Sequence, residues 1–122
     1  MYTSSKLAQK QYQETKMDFE TLFTSTKWEI LDQLSKKSYS PLELSKILNT
    51  SMANISQQLR LLEALNLVKK EKVSNRDKGK PRTLYSLSAD YAYIIVFANG
   101  IAEKKLVKLN ASTKSSVKKL LN

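Results

Sequence analysis

A helix predicted to begin at Ser51 carries polar side chains of the types that read base edges in DNA. Its apolar residues Ile55, Leu59 and Leu62 recur at helical spacing and define an inward face. The outward face of its first half then holds Ala53, Asn54, Ser56, Gln57 and Arg60. Asn and Gln can bind adenine through two hydrogen bonds, Arg favours guanine or phosphate, and Ser serves either partner. Ser51 lies at the N-terminus of the helix, which attracts phosphate. Together with the spacing of the polar residues on the outward face, this indicates contact with DNA.

A basic loop follows this helix between two predicted strands. It contributes the four bases Arg76, Lys78, Lys80 and Arg82, and Gly79 among them permits a close backbone approach. Such a loop would lie along the flanking DNA backbone, and one of its bases could enter a narrow minor groove. Two simpler interpretations stay open: the polar helix face is only solvated, or the lysine-rich tip only protects a sheet edge from aggregation.

The positive charge of the chain is local. The formal net charge is +10. Residues 69–82 hold seven bases against two acids, and residues 101–122 hold six lysines against one glutamate, so each segment has a net charge of +5. The remaining residues are balanced. Because Lys and Arg that neutralise phosphates release condensed counterions, nucleic acid is the first partner class to consider and a membrane surface the second.

Several classes of protein are excluded by residue types that the chain lacks. It has no Cys and no His, which removes disulfides, thiolate metal sites, cysteine nucleophiles and His-based acid-base catalysis. Its acids are dispersed without a nucleophile–base pair, so we expect no enzyme and no cofactor. The longest apolar run, Tyr91–Ala98, is far shorter than the about 20 residues of a membrane span. Residues 1–17 show no secretory signal, and we expect a cytoplasmic, nucleoid-associated protein.

Three helices and a hairpin would position the polar face and the basic loop. The first helix is predicted over residues 27–36. Its buried stripe consists of Trp28, Ile30, Leu31 and Leu34. The second helix begins at Pro41, behind the N-cap Ser40 and a capping box closed by Glu43. The third ends near Asn66, a residue type that tolerates the left-handed conformation after a helix.

A helical pattern returns from Asp90 onward, with apolar residues at three- and four-residue steps as far as Leu109. Tyr91–Ala98 is apolar around the whole circumference of such a helix, and one domain can bury only one side of it. We therefore expect a symmetric dimer interface here, with an intramolecular lid as the alternative. The expected interface residues are Tyr91, Ile94, Ile95, Ala98, Ile101 and Ala102. A last amphipathic stretch carries Val117, and its lysines are either solvated or a second phosphate-contacting patch.

The order of helix, helix, tight turn, helix and basic hairpin is that of a winged helix-turn-helix. The predicted fold class is mostly α with a small β-hairpin, whose strands lie near 69–74 and 83–87, and with a C-terminal dimerisation helix. We expect a flexible arm or weak helix over residues 1–17. The DNA-binding domain would then span residues 18–88, and a helical dimerisation segment with a basic tail would span residues 89–122.

The sequence resembles the winged helix-turn-helix regulators of the ArsR type, which are common in bacteria and archaea. The resemblance lies in Trp28-Glu29-Ile30-Leu31, in Leu44-Ser45-Lys46-Ile47-Leu48 and above all in residues 51–68. It extends to Tyr85-Ser86-Leu87-Ser88 and covers residues 18–88. It implies a homodimeric repressor of transcription that binds double-stranded DNA. The DNA-facing positions that it implies are Ser51, Asn54, Ser56, Gln57 and Arg60.

Two departures from the family pattern bear on function. The family usually has Gly where Asn66 stands, a change that the end of a helix can absorb. Metal-sensing members place Cys or His ligands on the first helix of the helix-turn-helix or on terminal helices, and residues 41–45 offer none. We therefore expect no soft-metal sensor, while a site of oxygen ligands alone stays open. The alternatives to a sequence-specific regulator are a sequence-tolerant chromatin protein and a winged-helix protein-interaction module.

Overall fold

A computed structural model describes residues 26–74 and 81–122 of the chain, and these residues form four helices and two antiparallel hairpins. The helices are α1 (Thr26–Leu34), α2 (Pro41–Ile47), α3 (Met52–Ala64) and α4 (Ala111–Leu121). The strands are β1 (Val68–Val73), β2 (Arg82–Leu87), β3 (Tyr91–Ala98) and β4 (Ile101–Lys108). The order from α1 to β2 is the predicted one. The expected N-terminal arm, residues 1–17, lies outside the described residues.

The core lies where the first three helices meet the first hairpin. Ile30, Leu44, Ile55, Leu59 and Leu62 are completely buried and come from α1, α2 and α3. Burial of aliphatic side chains of this size stabilises a fold by about 1.5–3 kcal/mol each, so this cluster fixes how the three helices pack. The inward face predicted for α3 is confirmed.

The predicted stripe of α1 is confirmed only in part. Ile30 and Leu34 are buried and Leu31 packs against the core, whereas Trp28 is 53% exposed. The helical period brings Trp28 to the edge of the stripe, where a large side chain meets the core on one side only.

Side-chain caps begin α2 and α3, and the cap of α2 is the capping box that the sequence predicts. The Ser40 hydroxyl accepts a hydrogen bond from the Glu43 backbone N–H at 3.2 Å, and the Glu43 carboxylate accepts one from the Ser40 backbone N–H at 3.0 Å. Pro41 occupies the first helical position. At the start of α3 the Ser51 hydroxyl accepts from the Asn54 backbone N–H at 3.1 Å. Both helices of the helix-turn-helix therefore start at residues that satisfy otherwise unpaired amides.

Asparagines in the left-handed conformation end both of these helices. Asn66 has a φ of 62° after α3, and Asn49 has a φ of 51° after α2. After α3 the Leu67 N–H donates to the Leu62 carbonyl at 3.0 Å, and the Asn66 N–H donates to the Glu63 carbonyl at 2.9 Å. This is a Schellman motif. Asn66 thus takes the role that Gly usually has in the family, as predicted.

The first hairpin, β1–β2, is joined to the helices through a third short strand segment. Tyr39 and Tyr85 exchange two backbone hydrogen bonds, of 3.1 and 2.8 Å, so the loop between α1 and α2 pairs with β2. Val68 pairs with Leu87 at the base of the hairpin and is buried. This hairpin and its loop, residues 68–87, are called the wing. The wing is anchored at its base, while its strands extend outward from the core.

The helix predicted over residues 91–109 is wrong, because these residues form the second hairpin, β3–β4. β3 is rich in β-branched and aromatic residues, which favour a pleated strand over a helix. The turn is Asn99-Gly100, and Gly100 has a φ of 91° that glycine adopts without strain. An Asn-Gly pair between apolar runs is a strong hairpin signal, and this signal identifies the turn in the sequence.

Because residues 91–108 form strands and not a helix, the predicted dimer residues are divided between the two faces of the hairpin. Cross-strand partners share a face, so Tyr91, Ile95 and Ala102 lie on one side of the hairpin. Ile94, Ala98 and Ile101 lie on the other side. The six residues therefore do not form the single stripe that a helix would have given them.

The final helix, α4, confirms the last amphipathic stretch. Asn110 caps it in a box with Thr113, and Lys114 forms an ion pair of 3.5 Å with Asp90. None of its residues is buried. The segment after residue 89 is thus a hairpin followed by a short exposed helix.

Substitution of Asn66 tests the helix end. Asn66→Ala should lower the free energy of unfolding by about 1 kcal/mol relative to Asn66→Gly, because a Cβ is unfavourable in the left-handed region. Denaturant unfolding of the two variants measures the difference. Equal stabilities would contradict the role of this backbone conformation.

Candidate nucleic-acid interface

The outward face of α3 presents a small set of exposed side chains. Ala53, Gln57 and Arg60 are exposed, and Ser56 is half-buried beside them. Ser51 is exposed at the helix N-terminus, where its hydroxyl already caps Asn54. Because the inward residues of α3 are fully buried, rotation of the helix that would hide Gln57 and Arg60 is disfavoured. These two side chains can reach a ligand outside the protein without rearrangement of the core.

Two exposed apolar residues of α3 were missed by the sequence reasoning. Met52 and Leu61 are each 44% exposed. Met52 stands in the first turn beside Ala53, and both can contact the methyl group of a thymine in a major groove. Their signal in the sequence is their position off the inward stripe of Ile55, Leu59 and Leu62.

Asn54 differs from the other predicted DNA-facing residues. Its amide N–H group donates to the hydroxyls of Thr50 at 3.0 Å and Thr26 at 3.4 Å. Its amide oxygen accepts from Gln58 Nε2 at 3.1 Å. A contact with adenine through two hydrogen bonds would have to break a bond that Asn54 Nδ2 donates, so the predicted DNA contact competes with this network and stays a prediction. The side chain ties α3 to the turn before it and to the start of α1.

Arg82 is engaged within the protein as well. Its guanidinium donates to the Glu43 carboxylate at 2.9 Å, which links β2 to the first turn of α2. Arg82 remains about half exposed, so one side of the guanidinium still faces solvent. The predicted phosphate contact is compatible with this pair, but Glu43 compensates part of the positive charge.

The Glu43 carboxylate is held in its charged form. The hydrogen bond from the Ser40 backbone N–H lowers the pKa of Glu43 most, partial burial opposes this, and the Ser40 hydroxyl, Arg82 and Lys37 lower it further. The net effect is a pKa below the ordinary value of a glutamate. The same carboxylate therefore serves as helix cap and as anchor for the wing.

The described part of the wing is strongly basic. Lys69, Lys70 and Lys72 are exposed on β1, and Lys70 lies 3.9 Å from Glu63 at the end of α3. The loop bases Arg76, Lys78 and Lys80 lie outside the described residues, and their DNA contacts stay predictions. Lys69 and Lys72 add exposed positive charge on β1, whereas the sequence analysis predicted DNA contacts mainly for the loop between β1 and β2.

The distal part of the second hairpin exposes apolar side chains. Ile95 is 58% exposed, Ile101 is 47% exposed and Phe97 is 84% exposed. Phe97 was missed because the helical pattern placed it off the expected interface. At the other end of the hairpin, Tyr91 and Leu106 line a largely apolar cavity of about 230 Å³ against α1. The hairpin thus has a base packed on the domain and an exposed apolar tip.

Residues 26–74 and 81–122 contain no group of three or more acidic side chains placed to hold a metal ion. None of the helices in these ranges is long and apolar enough to cross a membrane.

Residues 24–70 match the family model described as bacterial regulatory protein, arsR family. The matched segment contains α1, α2, α3 and the beginning of β1. The resemblance predicted from the sequence is thereby confirmed over these residues. No curated protein matches the chain.

Solved structures were found that are similar to parts of this chain. A protein described as a transcriptional regulator of the MarR family from Enterococcus faecalis is 22% identical, with a TM-score of 0.51, over 62% of this chain and 67% of that chain. A mutant of ZitR from Lactococcus lactis, in apo form, is 25% identical over 71% of this chain and 62% of that chain, with a TM-score of 0.47. The first of these supports the winged helix-turn-helix fold.

A stability comparison tests the role of Asn54. Asn54→Ala removes three side-chain hydrogen bonds and should lower the free energy of unfolding by about 1–3 kcal/mol. Gln57→Ala, one turn away on the exposed face, should change it by less than about 0.5 kcal/mol. Thermal or denaturant unfolding provides the measurement, and a harmless Asn54→Ala would show that the network does not hold α3.

The pH dependence of stability tests the Glu43 anchor. Because the pKa of Glu43 is lowered by folding, its stabilisation is present above the unfolded pKa and is lost as the pH falls through the folded pKa. The wild type should therefore exceed Glu43→Gln in stability at about pH 7 and lose that advantage progressively as the pH falls below the ordinary glutamate pKa of about 4.3. Glu71→Gln, an exposed position on β1, controls for the change in net charge. A pH-independent difference for Glu43→Gln would contradict the anchor.

Proposed function

We propose that this chain, a DNA-binding transcription regulator with an arsR-type helix-turn-helix, binds double-stranded DNA sequence-specifically as a homodimer and represses transcription. The observation that carries the proposal is the exposure of Gln57 and Arg60 on α3, opposite a stripe of completely buried residues, within the segment that matches the family. An α-helix fits the major groove, where each base pair presents a distinct pattern of donors and acceptors.

The proposed readout uses few side chains. Gln57 would bind adenine through its amide and Arg60 would bind guanine or a nearby phosphate. Ala53 and Met52 would contact thymine methyl groups, and Ser56 would bind a base or phosphate. The N-terminus of α3 at Ser51 would face a backbone phosphate. Asn54 would act only by holding α3 in position.

The wing supplies the part of the binding that is independent of sequence. Its lysines on β1 and the loop bases Arg76, Lys78 and Lys80, with Arg82, would lie along the flanking backbone or the minor groove. The charge excess supports this division, because it lies in the wing and the C-terminal segment, whereas α3 carries only Arg60 and Glu63. Affinity and specificity would then depend on different residues.

A homodimer would present two copies of α3 about 34 Å apart, one helical turn of DNA, to a pseudo-palindromic site. Bound at a promoter in the bacterial or archaeal nucleoid, it would block the polymerase. The near-neutral α3 also favours a second candidate, a sequence-tolerant architectural protein. The ratio of affinities for a selected site and for random DNA at fixed salt separates the two: a repressor should exceed about 10³, and an architectural protein should not.

Three single substitutions test the division between readout and backbone contact. Gln57→Ala and Arg60→Ala should each cost about 1–3 kcal/mol on the selected site and little on random duplexes. Lys78→Ala should weaken binding to all duplexes alike and reduce the salt slope by about one. Lys36→Ala, which removes an exposed base two residues after the end of α1, is the control and should change neither affinity.

The measurement is a titration of labelled duplexes at several salt concentrations. Equal losses on selected and random DNA for all three variants would contradict base readout. If the wild type shifts no duplex at low salt, the protein-interaction module replaces DNA binding as the function.

A further inference from the structure

The second hairpin has two edges of opposite chemical character. β3 contains no charged residue, whereas β4 carries Glu103, Lys104, Lys105 and Lys108. Within residues 26–74 and 81–122, the two strands pair only with each other. Lysines on an edge strand disfavour pairing with the strand of another chain. The outer edge of β4 carries such lysines, and the outer edge of β3 does not.

The backbone of β3 directs half of its hydrogen-bonding groups away from β4. The Leu109 N–H donates to the Asp90 carbonyl at 2.8 Å, just before the first pair of the hairpin. In an antiparallel ladder, hydrogen-bonded pairs alternate with non-bonded ones, so even-numbered residues of β3 bond to β4. Odd-numbered residues, Ile95 and Phe97 among them, therefore point their N–H and C=O groups to the outer edge. Such an edge is a template for one more strand.

We propose that β3 pairs antiparallel with β3 of a second copy of this chain across a two-fold axis. The two hairpins then form one four-stranded sheet in the order β4-β3-β3-β4. This inference rests on the homodimer of the proposed function and names its contact surface. It replaces the helical interface that the sequence predicted.

The absence of charged residues on β3 favours a second copy of β3 as its pairing partner. Two uncharged β3 strands can approach without repulsion, whereas two β4 strands would bring three lysines from each chain together. A polyanion would be drawn to β4 and not to β3. Antiparallel pairing of identical strands is two-fold symmetric, so a single apolar strand satisfies both sides of a closed dimer.

Side-chain exposure supports the same surface. Ile95 and Phe97, 58% and 84% exposed, lie on one face of the hairpin, and Ile94, 38% exposed, lies on the other. Pairing at β3 places each of them next to apolar side chains of the second copy on the same face. Both faces of the joined sheet gain apolar contacts from one backbone ladder.

Proline substitutions on the two strands of the hairpin test the edge. Ile95→Pro removes an outward N–H from β3, and Ala102→Pro removes an outward N–H from β4 near the same end of the hairpin. Sedimentation equilibrium of the full chain should show a dimer for the wild type. Ile95→Pro should raise the dimer dissociation constant roughly 10- to 100-fold, because the symmetric interface loses two hydrogen bonds. Ala102→Pro should leave it unchanged.

A charge variant keeps the test independent of any backbone distortion by proline. Ile95→Lys retains the backbone amide but places a positive charge on β3 of each copy. The repulsion between the two lysines should weaken the dimer, and more strongly at low salt than at high salt because salt screens the charges. Amide hydrogen exchange supplies a second readout. The Ile95 and Phe97 amides should become more protected as the concentration of wild-type protein rises.

Three results would overturn the proposal: a wild type that stays monomeric, equal effects of Ile95→Pro and Ala102→Pro, or exchange at Ile95 that does not depend on concentration. Protection without concentration dependence would mean that the chain itself covers the edge. Binding of Ile95→Pro to a half-site duplex separates this failure from that of the proposed function. Retained half-site binding would leave DNA readout intact, whereas a wild type that binds no duplex would contradict the proposed function.

Discussion

The burial of one stripe of α3 is the constraint on which the other features of the domain depend. Ile55, Leu59 and Leu62 have no exposed surface and pack with Ile30 of α1 and Leu44 of α2. This packing sets the rotation of α3 about its axis, and with it the identity of the side chains that face outward. The positions of Gln57 and Arg60 on the surface are thus a consequence of core packing.

Polar contacts at the ends of the helices complete this arrangement. Asparagines in the left-handed conformation stop α2 and α3, and the Ser40–Glu43 box starts α2. Two residues of these caps also join separate elements. Glu43 binds Arg82 of the wing. Asn54, whose backbone N–H donates to the α3 cap Ser51, bonds through its side chain to Thr26 of α1. The orientation of the wing and of α3 relative to α2 is therefore coupled to the local capping of helices.

The excess charge and the uncharged strand β3 occupy different parts of the chain. The basic residues lie on the first hairpin and in residues 101–122, whereas β3 carries no charge and exposes Ile94, Ile95 and Phe97. A polyanion and a protein partner would consequently meet different surfaces of the same small chain. The proposed DNA contacts and the proposed contact with a second copy would therefore depend on different residues.

The sequence by itself determined α1, α2, α3, the wing and their caps, because each is encoded by neighbouring residues: helical apolar spacing, Ser40-Pro41 and the asparagine at 66. The sequence carried the Asn99-Gly100 turn signal, but the apolar run Tyr91–Ala98 satisfies helix and strand periods equally. The pairing of Tyr91–Ala98 with Ile101–Lys108 decided in favour of the strand. Only the tertiary structure decided the roles of Asn54 and Arg82. Their partners Thr26 and Glu43 lie 28 and 39 residues away, and no local pattern reports contacts that folding creates over such separations.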